Sequence, residues 1–405
     1  MKISNFAIFL IFSAFLSVGF GSFLFSEGNN ISRNYEITIS REKKEIPEKE
    51  IPIKEETKNK SSIKEEPIKA VYITSWSASR NSYIYYLVSL ALSTEINAVV
   101  IDIKDFSGYV AYDSKLPQVK EYSAKQVRIK DLKGLIEKLH GAGLYVIARM
   151  TVFQDPRLAL ARPILGIHSK EKLDLETIPV FSKITLWKDR SGLAWIDPAA
   201  KEAWEYNAAI AKEAISLGFD EINFDYIRFP SDGDLRDMVF PFWGQSVSSR
   251  HMVIKDFFKY LREELPEAKL SVDLFGLSTI SHDDLGVGQI IEDAFWYFDY
   301  ISPMVYPSHY ASGFSGFENP GEHPYEVILR SMESALSRLN KFNLSNKKEV
   351  KLRPWLQDFS LAVHYSAEMV KKEIEAVQDS LKDDFAGFML WSPNNIYTKD
   401  ALSPE

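Results

Sequence analysis

The stretch GFDEINFDYIRFP, residues 218–230, carries Glu221, Asn223 and Asp225 at every second position, with Ile222, Phe224 and Tyr226 between them or following. Alternate side chains of a strand face opposite ways, so the run reads as a strand with one apolar face and one acidic face. Other β-rich runs end in similar chemistry. NAVVIDIKD (97–105) puts Asp102 and Lys104 on one face, with Asp105 at the rim, and LYVIARMTVF (144–153) puts Arg149 beside Ile147 and Thr151. KLSVDLFG (269–276) offers Ser271 and Asp273, and YISPMVYP (300–307) offers Met304 and Tyr306, with His309 just beyond. KLRPWLQDF (351–359) supplies Trp355, Gln357 and the rim residue Asp358, while GFMLWSPN (387–394) supplies Trp391 and Asn394. An unpaired buried carboxylate costs on the order of several kcal/mol, so polar groups in these numbers need partners or a task.

The elements that must position them alternate. Together with AVYITSW (70–76) there are eight β-rich runs, separated by helical stretches such as 129–143, 200–218, 249–265 and 366–382. Gly143 and Gly218 each stand just before a strand, where a helix C-cap belongs. This alternation predicts an α/β fold of parallel strands in crossover units, closed as a (β/α)8 TIM barrel. An open doubly wound sheet would carry a Gly-rich phosphate turn after its first strand, and TSWSASRNS has none. In the barrel Ile222, Phe224 and Tyr226 should pack on helices, and Glu221, lying deeper, should be paired inside. Two long connections, from Gln154 to Asp197 after the third strand and from Pro307 to about Pro324 after the sixth, should rise on the carboxyl face, where barrel active sites lie.

A bowl of carboxylates, a few cations, amides and aromatic rings suits a carbohydrate. Glycoside hydrolysis needs two carboxyl groups flanking the bond, one to donate a proton and one to attack or to activate water. Asp225 and Asp273, on adjacent strands at matching depth, are the natural pair. Asp225 would be nucleophile or charge stabiliser, kept ionised by Arg228, and Asp273 the acid/base, because two carboxylates in one pocket resist double ionisation. Asp102, Lys104, Arg149, Arg228, Tyr306, His309, Gln357, Trp391 and Asn394 are the candidate substrate-binding residues. Asp102 with Lys104 also fits a structural ion pair, and Asp358 also fits a cap. The main rival function is a non-catalytic saccharide-binding barrel of the cell envelope. A weaker one has Asp102 and Asp105 holding a divalent cation, although no dense acidic cluster is evident.

Composition narrows the field. A formal net charge of −8 argues against nucleic acid, whose phosphates need a basic face. The absence of cysteine excludes disulfides, thiolate nucleophiles and Cys-ligated zinc. The seven histidines show no HExxH spacing, so neither a metal nor another cofactor is expected. Ile3 to Phe25, following Lys2, has no charged residue and approaches the ~20 residues that span a bilayer. It reads as an uncleaved signal anchor (1–25), or alternatively as a signal peptide cleaved near Gly19–Ser22, and either places the rest outside the cytoplasm. Residues 26–69, rich in Lys, Glu and Pro, read as a flexible linker to a barrel at 70–397 with a short tail at 398–405.

FDEINFDYIRFP, with NAVVIDIKDFSG before it, GLAWIDP between, and SVDLFG, YISPMVYPSHY and RPWLQDF after, resembles the glycoside hydrolase domain of a family of often membrane-anchored bacterial proteins. The likeness runs from about Ile68 to Asn395. It implies a TIM barrel distantly similar to the α-amylase clan, in which a nucleophilic Asp ends the fourth strand, a Glu acid ends the fifth and a second Asp follows the seventh. Asp225, Asp273 and Asp358 match those places. Two departures stand out: the fifth-strand acid is Asp273, one methylene shorter, and the clan's Arg two residues before the nucleophile is Asn223.

Overall fold

Each of the eight β-rich runs forms a strand, and all eight are parallel. They are β1 (Ile68–Ile73), β2 (Ala98–Lys104), β3 (Tyr145–Thr151), β4 (Glu221–Asp225), β5 (Lys269–Phe275), β6 (Tyr300–Met304), β7 (Trp355–Gln357) and β8 (Gly387–Trp391). The computed structural model describes residues 66–170, 184–346 and 349–404. β1 pairs with β2 on one side and with β8 on the other, which closes the sheet into a barrel. Closure removes every exposed edge, so no strand in the ring needs a protected flank. Among the described residues, the helices that follow the strands are α1 (Asn81–Ala91), α2 (Leu132–Gly141), α3 (Lys201–Leu217), α4 (Arg250–Glu264), α5 (Ile291–Phe295), α6 (Pro324–Asn346) and α7 (Ala367–Leu381). After β8 the chain makes the 3-10 turn Lys399–Ala401, and the Glu95 backbone N–H then donates to the Ser403 carbonyl at 2.9 Å.

Local chemistry explains the joints. α3 ends at Gly218, whose φ of 109° is the left-handed cap that a side chain resists. At the entry of β8, Gly387 has φ 103°, and a Cβ there would fall 1.9 Å from the Ile68 carbonyl oxygen, so β1 and β8 can close only over a glycine. Ahead of β7, Lys351–Leu352 already pairs with β6, and Pro354, which has no N–H to give, separates the two pieces.

Strand alternation sorts the core into two layers. Val71, Ile73, Val99, Ile101, Ile222 and Phe224 belong to the large cluster under the helices, while Ala70, Tyr72, Val100, Ile147, Trp355 and Met389 fill the barrel centre. Below that centre Glu221 meets Arg353 in an ion pair with both side chains at 0% exposure. The Arg353 guanidinium also lies 4.1 Å from the centroid of the Tyr300 ring.

The loops differ from expectation in one respect. The segment after β3 holds a short helix, Pro156–Ala161, and a strand, His168–Ser169, which pairs antiparallel with Met238–Val239. That partner lies in residues 226–249, a third long connection between β4 and α4 that forms part of the carboxyl face. The expected signal anchor and all but the last residues of the expected linker lie outside the described residues. Among the described residues no helix is long and apolar enough to cross a membrane.

Breaking a buried ion pair strands the surviving charge. Arg353→Met is therefore expected to destabilise the barrel by about 3–5 kcal/mol in urea unfolding, with most of the loss recovered by adding Glu221→Leu. A single-variant loss inside the noise would contradict a desolvated pair.

Candidate active site

The carboxyl ends of β3, β4 and β5 bring the chemistry together. Register pairs Arg149 with Asn223 and Asn223 with Ser271, so these three share one layer of the barrel. The β4–β5 ladder ends at Phe224 and Val272, which leaves Asp225 and Asp273 side by side in the next layer. Arg149 reaches up among the carboxylates. Its Nη1 donates to Asp102 at 2.6 Å, its Nη2 donates to Asp225, and its Nε lies 3.6 Å from Asp273. Tyr72 donates its hydroxyl to the other oxygen of Asp102. Asp273 Oδ1 accepts from Trp355 Nε1 at 2.7 Å and from Asn223 Nδ2 at 2.8 Å. The backbone N–H of Tyr226 gives Asp225 Oδ1 a 2.6 Å bond.

Above this network opens a cavity of about 180 Å³. Of the expected site residues, Arg149, Asp225, Arg228, Asp273, Tyr306, His309 and Trp391 line it. Asp102 stands behind Arg149, at its far nitrogen. Gln357 is fully buried and ties down the loop after β6, bonding Ser308 through both ends of its amide.

Three expected residues lie elsewhere. The β2–β3 register shifts between Asp102 and Lys104, and this irregularity turns Lys104 away from the barrel centre toward α3. There it pairs with Asp155 at 2.8 Å and bonds Asn207 at 3.3 Å, fully buried. Asp358 caps Thr398 through its backbone N–H and hydroxyl, at 2.8 and 2.6 Å, and contributes nothing to the cavity wall. Asn394 is exposed past β8, and its neighbour Asn395 is the buried one, accepting from the Thr74 N–H at 2.9 Å. Arg228, expected to hold Asp225 ionised, makes no ion pair with it; Arg149 does.

The site also holds residues not anticipated. Tyr226, expected among the helices, adopts φ 55° and lines the cavity instead, because β4 ends one residue earlier. No local signal announces that turn. Tyr72 was readable, since it alternates with the outward Val71 and Ile73. Phe275, Ser231 and Asp232 complete the wall. Trp391, Tyr306 and Phe359 form an aromatic cluster, with centroids 5.8 Å apart for Tyr306–Trp391 and 5.0 Å apart for Phe359–Trp391.

Residues 70–397 match the protein family described as "Putative glycosyl hydrolase domain". The chain belongs to this family. A hypothetical protein from Ruminiclostridium thermocellum is 34% identical, over 54% of this chain and 98% of that one, with a TM-score of 0.44. The PgaB (BpsB) glycoside hydrolase domain from Bordetella bronchiseptica matches at 14% identity over 83% of this chain and 99% of its own, with a TM-score of 0.54. An α-L-fucosidase isoenzyme from Paenibacillus thiaminolyticus matches at 12% identity over 83% and 48%, with a TM-score of 0.51. The last two share the barrel fold. No curated protein matches the chain by sequence.

Electrostatics divide the carboxyl groups of this domain. Burial foremost, and then the charge of Asp225, push the Asp273 carboxyl up to about 8. Burial also raises Asp102 against the opposing pull of Arg149. Arg149 is held firmly protonated: burial works against its charge, but Asp102 and Asp225 outweigh that. Burial drops His309 to about 4, so its ring is neutral near pH 7. Asp105 pairs with a different guanidinium, that of Arg128, and its charge adds to the rise of Asp102.

A carboxyl whose folded-state pKa is raised binds its proton more tightly when folded. Its contribution to stability is present below the unfolded value of 3.8 and is lost as pH rises toward 8. Asp273→Asn is therefore expected to flatten the fall in unfolding free energy between pH 4 and 8, measured by urea titration at each pH. An unchanged slope would exclude a protonated Asp273.

Proposed function

We propose that this domain hydrolyses a glycosidic bond in a poly- or oligosaccharide, with Asp273 as general acid/base and Asp225 as the ionised partner. The observation that carries this reading is the division of labour around Arg149: it pairs with Asp225, while its Nε stands 3.6 Å from a buried Asp273 whose carboxyl is raised to about 8. At neutral pH Asp273 therefore has a proton to give, and Asp225 sits in an ion pair that favours a carboxylate, which is what cleavage of an acetal needs. Asp273 protonates the leaving oxygen. Asp225 attacks the anomeric carbon, or takes the proton of the attacking water, and gives up its charge in doing so; before that step the ion pair with Arg149 favours its carboxylate form. Trp391 and Tyr306 give the apolar C–H face of a pyranose a surface to stack on.

A second reading, saccharide binding without cleavage, draws on the depth of Asp273, which is 1% exposed with Oδ1 already accepting two hydrogen bonds. Kinetics separate the two. Asp273→Asn is expected to lower kcat by about 10²–10⁴ on unactivated oligosaccharides and far less on nitrophenyl glycosides, whose leaving group needs no proton. Asp225→Asn is expected to abolish turnover of both while sparing binding. Wild-type kcat/KM should fall above about pH 8, as Asp273 loses its proton. Undiminished hydrolysis by Asp225→Asn would remove that residue from the mechanism, and glycan binding with no cleavage by the wild type would favour the second reading.

We place the domain outside the cytoplasm, tethered through Ile3–Phe25, on the strength of the uncharged run that follows Lys2. The expected outcome is digestion of the barrel by protease added to intact spheroplasts, with the undigested protein staying in the membrane pellet after alkaline carbonate extraction. Protection from the protease would reverse the assignment.

A further inference from the structure

Arg228 is the cation in the cavity wall that the proposed chemistry leaves unused. It follows β4 on the carboxyl face and lines the same cavity as Asp225 and Asp273. Three aromatic rings surround its guanidinium carbon, with centroids at 4.8 Å for Phe275, 4.9 Å for Trp195 and 5.1 Å for Tyr226. Rings attract the faces of a guanidinium but accept nothing from the N–H groups at its edge. Among the described residues that edge is poorly used. Nη1 alone makes hydrogen bonds, both at 3.2 Å, to the Phe229 carbonyl and the Ser231 hydroxyl, and no carboxylate comes within ion-pair distance.

The acids nearest to it are committed elsewhere. Asp225 belongs to Arg149. Asp189 accepts from Gln154 and Trp195, both at 2.8 Å, and from the Leu193 backbone at 2.9 Å. Asp232 takes the Arg190 backbone N–H at 3.2 Å, and burial, the largest influence on it, raises its carboxyl above the ordinary range. A half-buried guanidinium without a counter-ion carries a desolvation cost, and burial lowers its pKa. Rings pack around the guanidinium, the side chain lines the cavity, and among the described residues neither Nε nor Nη2 makes a hydrogen bond, an arrangement suited to a planar anion that accepts two parallel bonds.

We infer that the sugar bound in this cavity carries a carboxylate, as a hexuronic acid does, and that Arg228 recognises it. The inference rests on the saccharide reading above and supplies its substrate class. The carboxylate of the sugar meets the Arg228 fork, while the ring lies toward Tyr306 and Trp391 and the glycosidic oxygen toward Asp273.

The test uses the full chain carrying Asp225→Asn, so that binding is read without turnover. Titration calorimetry with 4-nitrophenyl D-glucuronides and D-galacturonides, in both anomers, is set against the matching glucosides and galactosides. The acidic member of at least one pair is expected to bind about tenfold or more tightly, the worth of a charge-assisted bond. Arg228→Gln, added to that variant, should collapse the ratio toward one, and Arg228→Lys should leave it intermediate. Equal affinity within every pair, or no binding by any of the eight probes, would overturn the inference without need of the Arg228 variants. A ratio that survives Arg228→Gln in a folded protein would overturn the role of that residue. Selective binding of a uronide that the wild type never cleaves would leave the inference standing and sink the hydrolase, whereas cleavage confined to neutral glycosides would do the reverse.

Discussion

One guanidinium stands among three inward carboxyl groups, and the rest of the site follows from that charge balance. Arg149 pairs with Asp102 and Asp225 and comes within 3.6 Å of Asp273. With all three acids ionised, a buried volume would hold a net charge of −2, which low-dielectric surroundings oppose strongly. The excess is halved, to −1, most cheaply by keeping a proton on the acid that Arg149 serves least. That acid is Asp273, the deepest of the three and the one reached only through Nε. A shared cation thus makes two chemically identical side chains unlike, and the reaction assigned to the site depends on that difference.

The barrel makes such an arrangement sustainable. Closed strands hold Arg149, Asn223 and Ser271 in one layer, so the positions of the side chains above them are set by backbone hydrogen bonds rather than by loops. The walls are a different matter. Arg228, Ser231 and Asp232 come from the connection after β4, and His309 comes from the one after β6. This is a common division in barrels, with charge placed by strands and shape placed by loops. At the opposite end Glu221 and Arg353 neutralise each other with no route to solvent, which separates a structural ion pair from a chemical one along the same strand.

Much of this was legible in the chain. Alternation in 221–225 sorted Ile222 and Phe224 from Glu221, Asn223 and Asp225, because side-chain direction in a strand depends only on parity. The same parity misplaced Lys104, since the register shift after Asp102 changes it without any mark in the sequence. Asp358 matched a family position, yet its carboxylate is consumed by Thr398, forty residues along the chain. Parity sends Tyr226 to the helices only if β4 continues through it, whereas the backbone there turns left-handed.

The sequence by itself determined which residue types face inward and in what order the strands deliver them, since periodicity and helix caps are properties of neighbours along the chain. Only the tertiary structure decided who pairs with whom: that Arg149 rather than Arg228 serves Asp225, and that Arg228 is left to aromatic rings. Electrostatic pairing depends on distances of a few ångströms between segments far apart in sequence, and those distances exist only once the barrel has closed.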